Sequence, residues 1–265
     1  MPSSCELEGV TLATTIRERE PAVGNWLTLK DPAVAEISAE LGFDFVVLDV
    51  EHTPNSLETV LAQARGMDAA GSHTEAIVRL PWNDPVVVKR VLDAGVSGVM
   101  APMVGTAEEA EALVEATRYP PAGIRGVAGE RASRYGLDLP DYVRDGPDPI
   151  TIAQIETLEG LENVEEIAAV PGLDALFVGP ADLSANLGVF GEWENEEFLA
   201  AVDRILEAGR AAETAVSTLA LSPADVERWM GHGFDFMMVG LDANYVIDGS
   251  QRAKTAFEAA LEERA

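Results

Sequence analysis

Eight short apolar runs, each leading toward a stretch with helical spacing, constrain this chain more than any other feature. The runs are Asn25 to Leu29, Phe43 to Asp49, Ala76 to Leu80, Gly98 to Pro102, Ile150 to Ile155, Ala175 to Gly179, Ala215 to Thr218 and Phe236 to Gly240. Their near-continuous apolar character is that of parallel strands buried on both faces. Between them, Pro32 to Leu41 sets Val34, Ile37 and Leu41 at three- and four-residue spacing, and Ser56 to Met67 does the same with Leu57, Val60, Leu61 and Ala64. Ala107 to Ala116 and Glu196 to Ala211 behave likewise. Asp31-Pro32, Asn83-Asp84-Pro85 and Ser222-Pro223 carry the cap-then-proline signature of helix starts. Eight strand–helix units in 265 residues predict an α/β fold, a single (β/α)₈ TIM barrel over residues 1–265. A doubly wound sheet is the competitor, but no G-x-G-x-x-G follows the first strand. Tyr119 to Asp148, rich in Pro, Gly and Arg, is the longest interruption and reads as functional or mobile. The tail from Ser250 to Ala265 reads as a last helix, packing on a neighbouring subunit.

Charge narrows the partners. Against 46 Asp+Glu stand 18 Lys+Arg, a formal net charge of −28. Such a surface repels nucleic acid phosphates and anionic membranes, so neither is an expected partner. The lysines are three, Lys30, Lys89 and Lys254. Acidic excess with scarce lysine is expected of a protein working in concentrated salt, where self-repulsion is screened within a few Å. A 47% hydrophobic content excludes bulk disorder, and no apolar run approaches the roughly 18 residues of a membrane span. The start, MPSSCELEGV, has no basic and apolar leader pattern, and one cysteine, Cys5, allows no internal disulfide. A reducing cytoplasm is the expected location.

In such a barrel the chemistry sits at the C-terminal strand ends. Asp49, Glu51 and His52 follow the second run, Arg79 the third, and Gln154 and Glu156 the fifth. Gly179, Pro180, Ala181 and Asp182 follow the sixth, and Asp242 the eighth. Glu156 and Asp182 are carboxylates placed past buried strands, where a cation would offset their repulsion. Two carboxylates with waters and substrate oxygens suit Mg²⁺ or Mn²⁺, although Asp182 could instead cap a turn and Glu156 begin a helix. His52 could be a general base or a turn residue bonded to backbone. Arg79 could grip a carboxylate or an oxyanion, or could be held in a salt bridge. Lysine chemistry is disfavoured, since only Lys30 is near a strand end, and Cys5 lies outside the barrel pattern.

From about Gly24 to Asp242 the chain resembles the HpcH/HpaI aldolases, metal-dependent class II pyruvate aldolases. The resemblance rests on five ordered blocks, GFDFVVLDVEHTPN, VRLPWNDP, ATRYPPAGIRGV, QIET and FVGPADLS. It implies reversible cleavage of a 4-hydroxy-2-oxo acid, such as a 2-keto-3-deoxy sugar acid, to pyruvate and an aldehyde. It also implies a divalent cation (Mg²⁺ or Mn²⁺, with Co²⁺ as an alternative) on Glu156 and Asp182, and a catalytic His52 partnered by Asp93. Arg79 would stabilise the enolate, and Asp49 and Glu51 would lie near the cation's waters. Gln154 would lie close to substrate, and Gly179 to Asp182 would receive the pyruvate carboxylate. A hexamer is the implied assembly. The AGERASRYG stretch is shorter than in the best-known bacterial members, which leaves open where Arg125 and Arg131 sit, and the STLALSP region offers no charged group that maps onto the family. The competing readings are an acyl-CoA lyase of the citrate or malyl-CoA type, which would want a basic patch beyond Arg125, Arg131 and Arg134, and a non-catalytic barrel that binds a 2-oxo acid.

Overall fold

A computed structural model of the chain describes residues 11–264. Helix α1 (Leu12–Arg17) precedes strand β1 (Val23–Leu27), α2 (Pro32–Glu40), β2 (Phe45–Asp49), α3 (Leu57–Ala70) and β3 (Glu75–Arg79). Then come α4 (Pro85–Asp93), β4 (Gly98–Ala101) and α5 (Ala107–Thr117). The long interruption holds a 3₁₀ turn (Arg131–Ser133) and α6 (Leu139–Asp145), and leads to β5 (Ile150–Ile155). After it come α7 (Leu158–Glu162), α8 (Val164–Ala168), β6 (Ala175–Val178), α9 (Pro180–Asn186), α10 (Glu196–Ala212) and β7 (Ala215–Ala220). The described chain ends with α11 (Pro223–His232), β8 (Phe236–Leu241) and α12 (Asp242–Glu262). The eight strands are all parallel, each beside its sequence neighbour, and β8 closes on β1. This is the (β/α)₈ barrel that the alternating pattern predicts. No described helix is long and apolar enough to cross a membrane.

The three cap-proline signatures behave as expected: Asp31, Asp84 and Ser222 each accept a backbone N–H of the turn they open. Two boundaries differ for a shared reason. β1 ends at Leu27 rather than Leu29 because the N–H groups of Thr28 and Leu29 turn to the Asp242 carboxylate, both at 2.9 Å. Asp242 is also the first residue of α12, so the last helix starts eight residues before Ser250. Cys5 lies outside the described residues.

Strand alternation creates two cores. Val46, Leu48, Val78 and Ile155 face outward to the helices, packing with Leu113, Val202 and Ile205. Phe45, Val47, Ile77, Met100, Ile150, Ile152, Phe177 and Phe236 fill the barrel itself. By the same parity, Asp49, Arg79 and Gln154 form the top layer of the interior.

The bottom is closed by a device with no periodic signature. Asp44, Asp174 and Asp235 stand just before β2, β6 and β8. Each accepts the N–H of a residue at the start of the preceding strand: Val23 at 2.8 Å, Thr151 at 2.7 Å and Val216 at 2.8 Å. Arg17 then bonds Asp174 at 2.6 Å and Arg19 bonds Asp235 at 3.0 Å. These pairs dock α1 under the barrel, where Leu12 and Ile16 join the interior core. Ile16→Ala is expected to cost about 2–4 kcal/mol, read from a urea unfolding midpoint. A loss below about 1 kcal/mol would show that α1 is not a plug of the barrel floor.

Candidate active site

The top layer opens into a cavity of about 560 Å³ whose wall includes Trp26, Asp49, His52, Arg79, Gln154 and Asp182. Register sets its first element. The last residues of β2 and β3, Asp49 and Arg79, are direct partners in the ladder. Arg79 grips Asp49 with both arms of its fork, Nε to Oδ1 at 2.9 Å and Nη2 to Oδ2 at 2.7 Å. Its Nη1 reaches Glu51 at 3.0 Å, and its guanidinium carbon lies 4.6 Å above the Trp26 ring. Both Asp49 and Arg79 are buried. Two of the five guanidinium N–H protons are hydrogen-bonded, both to Asp49, and Nη1 is ion-paired with Glu51. The salt bridge that the sequence left open for Arg79 therefore exists, and it leaves the arginine donors to spare.

Asp49 also shapes the chain after β2. Its Oδ1 accepts the N–H of Glu51 at 3.0 Å, and its carbonyl accepts the Asn55 side-chain amide at 2.8 Å. This turn presents His52 at the mouth, with its side chain 66% exposed and Nε2 3.6 Å from Glu51 Oε1. Burial raises the Glu51 carboxyl above its usual range, against the pull of Arg79.

Glu156 follows β5 and is buried. Its Oε1 accepts the Met103 N–H at 2.8 Å, and its Oε2 accepts from Gln154 Nε2. Burial pushes this carboxyl up to about 7, the two donors oppose the shift, and Asp182 and Glu51 add to it. Asp182 lies in the first turn of α9, exposed to the cavity. It does not cap the helix, whose cap position is Gly179 with no side-chain bond. Gly179 is required by space rather than by backbone angle. A Cβ there would lie 2.6 Å from Glu156 Oε2 and 3.2 Å from Gln154 Nε2. Among the described residues no three His, Cys, Asp or Glu side chains cluster as a ready metal site. Asp49, Asp182 and Asp225 line the cavity against one guanidinium, while Glu156 lies just behind Gly179 of its wall and Glu51 lies against Arg79. Gln154 Oε1 is buried and without a partner.

One expected pairing is not made within the single subunit. Asp93 is not brought to His52 within the subunit. It ends α4, away from the barrel mouth, and its carboxylate takes Arg125 Nη2 at 2.8 Å. It lines a separate groove with Arg90 and Arg131, and the carboxylate beside His52 is Glu51. Arg125 is buried with its guanidinium 4.8 Å from the Tyr119 ring, and Arg131 binds the Ala94 carbonyl at 2.7 Å and the Asp68 carboxylate. Neither arginine lines the cavity. Other contributors went unseen in the sequence. Met103, with a left-handed φ of 56°, supplies its backbone N–H to Glu156 and leaves no trace in any motif. The outer wall is made by Phe190, Trp193, Leu219, Leu221, Trp229 and Leu241. The aromatic residues of the Gly-rich VFGEW stretch were its one available signal.

The family model for HpcH/HpaI aldolase/citrate lyase matches residues 22–249. A 4-hydroxy-2-oxo-heptane-1,7-dioate aldolase of Salmonella dublin is 39% identical over 247 residues, covering 92% of this chain and 93% of that protein. A hydroxypyruvate/pyruvate aldolase of Paraburkholderia phytofirmans is 40% identical over 248 residues, covering 91% and 95%. The crystal structure of an HpcH/HpaI aldolase/citrate lyase family protein from Burkholderia cenocepacia superimposes with a TM-score of 0.89 at 37% identity, covering 93% of this chain and 98% of that one.

Gly179→Ala tests the cradle around Glu156. The added methyl must displace the Glu156 carboxylate or the Gln154 amide. Titration calorimetry with Mn²⁺ should then show affinity weakened by about tenfold or more, as expected when a group that orients a ligand is moved. Unchanged affinity with an unchanged circular dichroism spectrum would remove Glu156 from the ligand set.

Proposed function

The chain belongs to the HpcH/HpaI aldolase/citrate lyase family and is a carbon–carbon lyase, and from that premise we propose that its barrel mouth cleaves a 4-hydroxy-2-oxo acid reversibly to pyruvate and an aldehyde. The observation that carries this reading is the convergence of Arg79, His52, Gln154 and Asp182 on one cavity, with Glu156 directly behind Gly179 of its wall. Glu156 and Asp182 would hold a divalent cation. The fit is supported by the excess of carboxylates, by the partnerless Gln154 Oε1 and by the close approach that Gly179 permits. Hard oxygen donors favour Mg²⁺ or Mn²⁺, with Co²⁺ as an alternative. Such a cation, when bound, supplies Lewis acidity to the oxygens of a 2-oxo acid.

The chain's own groups do the rest. His52 Nε2, at the mouth, takes the proton of the C4 hydroxyl. The C3–C4 bond breaks, the aldehyde leaves, and the electron pair passes into an enolate across C2 and C3. The Arg79 N–H protons not held by Asp49 stabilise that negative charge, and Glu51 steadies the imidazolium. Protonation at C3 gives pyruvate. The N–H groups that open α9, at Ala181 and Asp182, have no helical acceptor and would receive the pyruvate carboxylate beside Gly179 and Pro180. Asp93 has no part in this scheme.

Pyruvate alone suffices to test it. Incubated in D₂O with Mn²⁺ or Mg²⁺, the protein should exchange the pyruvate methyl protons, and EDTA should stop the exchange. His52→Ala and Arg79→Ala should each lower aldol cleavage on the order of 10²-fold or more. Arg79→Lys should fare little better, because an ammonium cannot grip Asp49 with two arms. Folded protein without exchange under any of these metals would overturn the proposal and favour the acyl-CoA lyase reading.

We further propose that α12 docks on a second copy in a homo-oligomer suited to concentrated salt in the cytoplasm. From Gln251 to Arg264 every described residue is exposed, including Phe257 at 65% and Leu261 at 49%, a stripe that no other described residue of its own subunit covers. A charge of −28 on each copy opposes assembly until salt screens it. Sedimentation in about 2 M KCl should give a hexamer that loses subunits at about 0.1 M. Leu261→Asp should weaken it at both salt levels. A monomer throughout would leave α12 without the neighbour assigned to it.

A further inference from the structure

We propose that the outer half of the cavity selects an uncharged, apolar aldehyde and rejects one that ends in a carboxylate. The inference rests on the retro-aldol reading above and names the class of its second substrate.

The cavity has two chemically different halves. The inner half holds Asp49, Asp182, Arg79 and His52. The outer wall is Phe190, Trp193, Leu219, Leu221, Trp229 and Leu241, drawn from the segment after α9, from β7 and the residue after it, from α11 and from the end of β8. Phe190 is 70% exposed and Leu221 52% exposed. These two stand open at the mouth, while Trp229 is a core residue and Trp193, Leu219 and Leu241 pack against the two cores. Among the described residues no lysine lines this cavity, and Arg79 is the single arginine on its wall. Its charge is already outweighed by Asp49 and Glu51.

One ionisable group does line the outer wall, and it has the sign that repels a carboxylate. Asp225 lies in the first turn of α11 and accepts from Ser222 Oγ at 2.7 Å and from Arg228 Nη1 at 2.8 Å. Arg228 is the one cation placed to rescue a carboxylate there. Its Nη2 is held by Glu194 at 2.6 Å, so two carboxylates already share its charge. An aldehyde with a terminal carboxylate would lose its water against aromatic and leucine side chains and meet Asp225 with no free partner, which is unfavourable on both counts. An apolar tail of the same shape buries its surface on the same wall with no such cost. A 4-hydroxy-2-oxo-heptane-1,7-dioate would release a carboxylate-ended aldehyde, so the aldehyde inferred here differs in class. The bond-forming step balances without a co-reactant: pyruvate gives up a methyl proton, its C3 joins the aldehyde carbon, and the aldehyde oxygen gains a proton.

Two aldehydes of nearly equal shape make the test: isohexanal, with a branched apolar end, and succinic semialdehyde, with a carboxylate in that place. Aldol addition of each to pyruvate is followed in the holoenzyme, with deuterium exchange into pyruvate alone as a separate readout. Exchange present, and kcat/KM higher for isohexanal on the order of 10²-fold, is the expected result. Leu221→Arg, which adds a cation at an exposed point of the wall, should bring that ratio down by about tenfold or more, mainly through the KM for succinic semialdehyde. Exchange present with succinic semialdehyde preferred, or with neither aldehyde used, overturns the inference while leaving the pyruvate half of the site intact. Loss of exchange itself overturns the reading beneath it.

Discussion

The bidentate grip of Arg79 on Asp49 is the contact around which the mouth is organised. A guanidinium and a carboxylate buried together are tolerable only as a pair, because either one alone would be an uncompensated charge away from water. Their pairing follows from register: β2 and β3 end level, and strand parity turns both last residues into the barrel. Three neighbouring elements then take their place from it. Trp26 of β1 lies under the guanidinium, the turn after β2 hangs from the Asp49 carboxylate, and Glu51 closes on the remaining arm. The exposed His52 is thereby carried on a turn tied to a strand end rather than on a free loop.

The acidic residues of this chain do two unlike jobs, and the end of the barrel decides which. At the floor, Asp44, Asp174 and Asp235 are structural acceptors whose oxygens are spent on backbone N–H groups and on arginines of the α1 region. At the mouth, Glu156 is satisfied by two donors yet still pushed up to about 7, because it is buried beside Asp182 and Glu51. A floor of satisfied carboxylates is stable as it stands. A carboxyl raised by burial beside other carboxylates marks a functional site, so one residue type supplies stability at one end and a candidate for chemistry at the other.

Most of the barrel was legible because its cause is periodic. Eight buried strands, three capped helix starts and the positions just past each strand all follow from spacing and cap chemistry. What was lost had no period. Helix α1 has six residues, too few to show an apolar stripe, and its place is fixed by Arg17 and Arg19 reaching aspartates far along the chain. Asp242 looked like one more mouth carboxylate, but it spends its oxygens on Thr28, Leu29 and Ala243 and so ties the end of β8 to the end of β1. Asp93 is the residue that a single subunit does not bring to its expected partner. Its role came from resemblance alone, and within one subunit the length of α4 separates it from the mouth that this role requires.

The division between legible and illegible residues also divides the cavity. Its inner half comes from strand ends, which the hydrogen-bonded ladder holds in register, so spacing along the chain translates directly into geometry. Its outer half comes from segments after β6, β7 and β8, whose conformations the ladder does not dictate. Side chains on the inner half are locked by one another, as Arg79 is by Asp49 and Gln154 by Glu156, and a substitution there disturbs the whole set. Phe190 and Leu221 are exposed and have few such obligations. Chemistry common to many substrates can therefore stay fixed on the ladder while the class of aldehyde is set by side chains that are free to change without unfolding the barrel.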